Sequence, residues 1–274
     1  MSALTVAQKE IADALRSRAL WVIVAIVAAM TSLGMGAAAL VPGETDVLTA
    51  VGGAAQLAGV LVPILALVAA YLSVAGERES GSIKVLLGLP PSRGAVVAGK
   101  FLGRSLVVVI GVVGGFAVAA VVAVAVYGTI PVVAMASVTL LSAALGVAFV
   151  GIAVGISAAS ASRSRAMTVG VGAYLALTLL WDLVPQLLLV VVGGGSGPTP
   201  AWFLYLSVLS PTGAYNGLVA NALGRAVGTP GFATGILSDA AAALFPWAMA
   251  AILVLWTAVP LVLGYRSFLR ADLS

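Results

Sequence analysis

The side chains best suited to binding a partner lie in one polar segment, residues 77–104, which reads ERESGSIKVLLGLPPSRGAVVAGKFLGR. Residues 82–89 predict a two-turn helix with one apolar face, and Pro90-Pro91 ends it because the residue before a proline is pushed out of helical geometry. Ser92 can cap the helix that follows. A short exposed apolar helix is typical of a docking surface, although beside a membrane it could instead dip into the lipid interface. The pattern leaves both interpretations open.

The same segment contains a near match to a phosphate-binding loop. Gly94 to Lys100 fits G-x-x-x-x-G-K, but Phe101 stands where the motif needs Ser or Thr to hold magnesium, and no strand pattern precedes it. We therefore expect the chain to have no ATPase of its own, so that any ATP chemistry must come from a partner.

The composition excludes most catalytic and metal sites. The chain has no His and no Cys, so zinc, haem and iron–sulfur sites lack their ligands, and nucleophiles that depend on a histidine base lack that base. Of the Met residues, only Met30 and Met35 are close in sequence, a spacing that favours core packing over a copper site. We expect no catalytic residue, no metal site and no cofactor.

The chain is predicted to be an all-α polytopic membrane protein. It is 62% hydrophobic and 8% charged, whereas a soluble domain carries about 25% charged residues. A bilayer core about 30 Å thick needs roughly 20 apolar residues as a helix. Charge-free intervals of that length predict six spans, at Ala19–Leu40, at Leu57–Gly76, at two sites within 105–162 separated by a turn at 127–131, at Ala166–Val192 and within 240–265.

Residues 201–224 also carry no charge, but helix-breaking residues interrupt their apolar run. Pro211, Gly213 and Asn216 break the run, and the aromatic residues at its start suit a membrane interface. We expect an external re-entrant or interfacial element here, within an external segment 193–239 that precedes the sixth span. A seventh span is the alternative.

The positive charges predict the orientation. With the N-terminus in the cytoplasm, every Lys and Arg except Arg225 falls on the cytoplasmic side of a six-span chain. The net charge of +4 therefore reflects membrane topology rather than nucleic-acid binding. Both termini are expected in the cytoplasm, with the protein in the cell membrane. Residues 1–18 predict an amphipathic helix on the inner membrane face, with a solvated helical cap as the alternative.

Asp182 is the one charged residue inside a predicted span. An acid at the bilayer centre costs about 2.5–3.5 kcal/mol, which makes it a functional candidate. Trp181 beside it and Gln186 one turn further on suggest either an interfacial anchor or a polar patch on a substrate pathway. The two roles stay open, with Asp182 and Gln186 as the candidate pathway residues.

The chain resembles ABC transporter permeases of the type-two exporter class. The resemblance lies in the amphipathic start, the six spans and the motif between Glu77 and Lys100. The resemblance is closest to the subgroup of copper-processing and nitrous-oxide-reductase-maturation permeases. It covers the whole chain, 1–274, in layout, but only the motif is specific. Leu209-Ser210-Pro211-Thr212 is a weaker match.

The resemblance implies one permease domain that carries a coupling helix between the second and third spans. This helix would dock on a separate ATP-hydrolysing subunit, residues 1–18 would be an elbow helix, and two permeases would form a dimer, most simply of identical copies. The resemblance does not indicate which substrate this chain would transport. The implied docking residues are Glu77, Arg78, Glu79, Gly81, Ile83, Lys84, Leu86, Leu87, Arg93 and Lys100.

The alternative function is a self-contained secondary transporter or channel without an ATPase partner. Such proteins normally carry several ionisable groups or broken helices at the membrane midplane. Only Asp182 and Pro63 qualify here, which counts against that class. An intramembrane enzyme is a third class, for which the chain offers no catalytic constellation.

Overall fold

The computed structural model describes residues 18–40, 46–80, 92–192, 200–227 and 246–270. The predicted coupling helix (82–89) and residues 1–17 of the predicted elbow helix (1–18) lie outside these ranges. Within them the chain is helical and has no strand. The helices are α1 (Arg18–Ala38), α2 (Val47–Ala70), α3 (Ala75–Glu79), α4 (Arg93–Tyr127), α5 (Val132–Ala159), α6 (Arg163–Tyr174), a π-helix (Leu175–Leu180), α7 (Leu183–Val191), α8 (Ala201–Val208), α9 (Pro211–Val227) and α10 (Pro246–Arg270).

The described ranges hold five to six candidate membrane spans. Five helices are long and apolar enough to cross a bilayer, namely α1, α2 continued by α3, α4, α5 and α10, and the bent run from α6 to α7 gives a sixth when it is counted as one span. The prediction of an all-α polytopic fold with six spans agrees with this arrangement.

The ends of several spans follow local capping rules. The Asp46 carboxylate accepts a hydrogen bond from the Leu48 N–H at 3.1 Å, so the second span begins about ten residues before the predicted Leu57. Ser92 caps α4 as predicted, accepting from the Ala95 N–H. Gly128, at φ +70°, ends α4 in the left-handed conformation that glycine adopts without strain. Within the described residues the last span is Pro246–Arg270, so it extends five residues beyond the predicted end at 265.

Helix α5 is at the centre of the bundle and packs most extensively on α10, with further contacts to α2, α4 and α9. Small residues allow these close approaches. A side chain at Gly155 would meet the backbone of Pro260 in α10, and one at Gly115 would meet Val27 in α1. Small residues spaced four apart therefore serve packing within the chain.

The fifth span is broken, which the sequence did not predict. It consists of α6, the π-helix, a turn at Trp181–Asp182 and α7, with a bend of 51°. The Leu177 carbonyl, inside the π-helix, accepts a hydrogen bond from Thr212 Oγ1 at 2.8 Å. A side chain that competes for a backbone carbonyl is a recognised cause of such a distortion.

Residues 201–224 form a helical hairpin instead of one continuous helix. Helices α8 and α9 are separated by a turn at Leu209–Ser210. Trp256 Nε1, in the middle of α10, donates to the Leu209 carbonyl at 2.8 Å, and the Tyr215 hydroxyl donates to the Ala55 carbonyl within α2 at 2.8 Å. The turn therefore lies beside the middle of α10, and the start of α9 packs on α2. A helix interrupted at this place favours a re-entrant element over a seventh span.

Candidate functional site

The two ends of the predicted docking segment meet at a buried ion pair. Lys100 Nζ lies 2.6 Å from Glu77 Oε1. The Lys100 side chain is 3% exposed and that of Glu77 is 33% exposed. Burial of a lysine requires a partner of opposite charge, so the carboxylate fixes the position of α4 against the exit of the second span.

A serine from α5 holds the start of the short helix that carries Glu77. The N–H groups of Val74 and Ala75 both donate to Ser157 Oγ at 3.0 Å. The first N–H groups of a helix have no partner within it, and here a distant side chain supplies one. The acidic exit is thereby attached to α5.

Arg78 and Glu79 bind the turn between α5 and α6. Arg78 Nη1 donates to the Ser160 carbonyl at 3.0 Å. The backbone N–H of Arg163 donates to Glu79 Oε2 at 2.7 Å, so a carboxylate lies at the N-terminus of α6, where the helix dipole favours negative charge. The three consecutive residues 77–79 therefore contact different parts of the bundle.

Arg93, at the far end of the segment, binds the last turn of α10. Its Nη1 donates to the carbonyls of Phe268 at 2.7 Å and Leu269 at 3.0 Å. Its guanidinium also lies 5.4 Å from the centre of the Phe268 ring. The carbonyls at a helix C-terminus lack partners within the helix, and Arg93 satisfies two of them.

The structure therefore brings together five of the ten predicted docking residues, which are Glu77, Arg78, Glu79, Arg93 and Lys100. The other five lie outside the described ranges, and they are Gly81, Ile83, Lys84, Leu86 and Leu87. Sequence reasoning missed Ser157 and Ser160. The serine-rich run SAASASRSR that starts at Ser157 was the available signal.

The near match to a phosphate-binding loop is helical throughout. Residues 94–100 belong to α4, and Lys100 is paired with Glu77. A phosphate loop needs a backbone that wraps around the anion with its N–H groups free, and an α-helix uses those groups in its own hydrogen bonds.

Asp182 and Gln186 lie on the exposed surface of the single chain, beside the break in the fifth span. Neither faces the packed interior of the bundle. Trp181 Nε1 donates to the Leu206 carbonyl at 3.0 Å, so the break is attached to the re-entrant hairpin through the residue next to Asp182. The pathway role of Asp182 and Gln186 stays a prediction.

Comparisons with a family model and with curated relatives both indicate an ABC transporter permease. The family model described as "ABC-2 family transporter protein" matches residues 4–273. A probable ABC transporter permease protein NosY of Pseudomonas aeruginosa is 31% identical over 283 residues, and its counterpart in Stutzerimonas stutzeri is 32% identical over 280 residues. Each alignment covers 97% of this chain and 97% of the relative.

Proposed function

Because the chain belongs to the ABC-2 family of transporter permeases and is the membrane subunit of an ABC transporter, we propose that its segment 77–104 docks a separate ATP-hydrolysing subunit. Movements of that subunit would pass through the segment to the spans. The observation that carries the proposal is the attachment of both ends of the segment to the bundle: Glu77, at its start, pairs with Lys100 of α4, and Arg93, at the start of α4, binds the Phe268 carbonyl of α10.

The length of α4 supports a mechanical role for the segment. The helix has 35 residues, which corresponds to about 52 Å, whereas the bilayer core is about 30 Å thick. Its first turns, which carry Arg93 and Lys100, therefore extend beyond the core. A force on the docking segment would act on this extension, while Arg78 and Glu79 would transmit it to the start of the fifth span.

The proposal includes the orientation of the chain and its partners. The cell membrane is the proposed location, with both termini in the cytoplasm. The reason is that most described cations lie at one end of the bundle, in α3, at the starts of α4 and α6 and at the end of α10, and positive charges mark the cytoplasmic side of a membrane protein. A second copy of this chain is the proposed membrane partner. Asp182 and Gln186, which are exposed on one chain, could then line a pathway formed between two chains.

Loss of the apolar docking face tests the proposal. The double variant Leu86→Ala/Leu87→Ala should insert into the membrane normally but lose the ATP-hydrolysing subunit during purification in a mild detergent, as measured by mass spectrometry of the co-eluting proteins. The matched control is Leu33→Ala/Leu40→Ala, since both leucines are exposed near the C-terminal end of α1. Equal recovery of the subunit with the docking variant and with wild type would rule out the docking role.

A further inference from the structure

A cavity of about 580 Å³ lies where the ends of α3, α5 and α10 meet. Three arginines line it, Arg78 from α3 and Arg266 and Arg270 from α10. Leu263 and Ser267 also face it. The four α10 residues are spaced at i, i+3, i+4 and i+7, so they form one continuous face of that helix.

The described lining of the cavity concentrates positive charge. No carboxylate lines it among the residues that the structure describes. The two nearest described acids of α3 bind elsewhere, Glu77 to Lys100 and Glu79 to the N-terminus of α6. Arg266 and Arg270 are one turn apart, a spacing at which like charges destabilise a helix. An anion between them would remove that repulsion.

The geometry of the arginines suits a phosphate. Arg78 is held in place by its bond to the Ser160 carbonyl, and a guanidinium carries several N–H donors, so this bond does not exhaust it. Arginine binds phosphate oxygens through paired N–H groups. Arg266, Arg270 and the Ser267 hydroxyl supply further donors from the opposite wall.

The surface next to the cavity suits acyl chains. Val259, Val262 and Leu263 are exposed along α10 on the membrane side of the arginines, with exposed fractions of 49%, 46% and 58%. A free phosphate ion would use only the basic end of this surface. A lipid with an anionic headgroup would use both parts, and basic pockets between membrane helices are suited to such headgroups.

We propose that this cavity binds the phosphate headgroup of an anionic membrane lipid. The bound lipid would join α3, which begins the docking segment, to the end of α10. This inference goes beyond the coupling role proposed above and does not depend on it, because it concerns the permease chain and lipid alone.

Native mass spectrometry of the full-length chain in mild detergent tests the proposal. The protein is titrated with phosphatidylglycerol or with phosphatidylcholine of the same acyl chains. Each arginine near an anionic lipid strengthens binding about fivefold, so Arg266→Gln/Arg270→Gln should weaken phosphatidylglycerol binding about twenty-five-fold and leave the weaker phosphatidylcholine binding unchanged. Arg165→Gln is the matched control, since Arg165 is an exposed arginine near the same end of the bundle that does not line the cavity.

The possible outcomes separate the sources of the anion. Selective loss of phosphatidylglycerol binding in the double variant, with the control like wild type, supports the proposal. Equal binding of the two lipids by wild type, or equal loss in Arg165→Gln, overturns it. Displacement of the lipid by millimolar inorganic phosphate would identify a free-anion site and overturn the lipid assignment. Unchanged lipid binding with loss of the ATP-hydrolysing subunit would assign the arginines to that subunit instead and also overturn it.

Discussion

Lys100 and Glu77 are 23 positions apart in the chain, yet their side chains form an ion pair of 2.6 Å. The contact joins the described residues on the two sides of the predicted docking helix, at the end of the second span and the second turn of α4. A segment joined in this way moves with the helices that hold it. The pair therefore links the proposed docking function to the packing of the second and third spans.

Breaking this pair should destabilise the protein more than breaking an exposed pair. Lys100→Met leaves the Glu77 carboxylate partly buried without its lysine, and we expect a loss of about 3 kcal/mol. Thermal unfolding in detergent, followed by tryptophan fluorescence, measures the effect. The matched control is Arg163→Met, because Arg163 and Glu79 are about half exposed and 4.0 Å apart, a pair worth up to about 1 kcal/mol.

A second substitution separates charge pairing from packing. Glu77→Gln combined with Lys100→Met should recover part of the stability lost in Lys100→Met alone, since neither member of the pair then carries a charge. If the double variant is less stable than Lys100→Met, the ion pair is not the reason for the loss.

The contact between α5 and α10 should not tolerate a side chain at Gly155. A Cβ there would meet the Pro260 backbone, so Gly155→Ala forces the helices apart and should cost about 1–3 kcal/mol. Gly172→Ala is the control, because its Cβ would meet nothing within 4 Å, and it should be neutral or slightly stabilising. Equal effects of the two substitutions on the unfolding temperature would contradict the close helix contact.

The packing of α9 against α2 and α5 should loosen when one buried tyrosine hydroxyl is removed. The buried Tyr215 hydroxyl donates to the Ala55 carbonyl and lies 3.0 Å from Ser142 Oγ. Tyr215→Phe should cost about 1–2 kcal/mol and increase hydrogen exchange at the start of α9. Tyr205→Phe, at a residue that is 48% exposed, should leave the exchange unchanged. Unaltered exchange in Tyr215→Phe would show that this hydroxyl does not hold the hairpin.

The absence of cysteine makes the proposed orientation directly testable. Single cysteines can be introduced at Thr129, in the turn between α4 and α5, and at Arg165, near the start of α6, without background labelling. A membrane-impermeant maleimide added to spheroplasts should label Thr129→Cys, and it should label Arg165→Cys only after permeabilisation. The reverse pattern would invert the proposed topology.

The sequence alone determined the membrane fold, the number of spans and several of their ends. These features depend on local rules, because a bilayer requires long runs without charge and every backbone group paired within its own helix. Capping is equally local, so Ser92 could be recognised as the start of α4 before any contact was known. Charges and prolines that are adjacent in the chain also marked out the segment 77–104, whose docking role was implied by the family resemblance and stays a prediction.

Only the tertiary structure decided which distant residues meet. Thr212, in α9, reaches a carbonyl of the π-helix 35 positions earlier, and Tyr215, in the same helix, bonds to a carbonyl of α2 160 positions earlier. The same holds for Ser157, whose hydroxyl caps a helix in another part of the chain. No periodicity encodes such pairings, because their free energy exists only after the helices have packed and brought the two groups together.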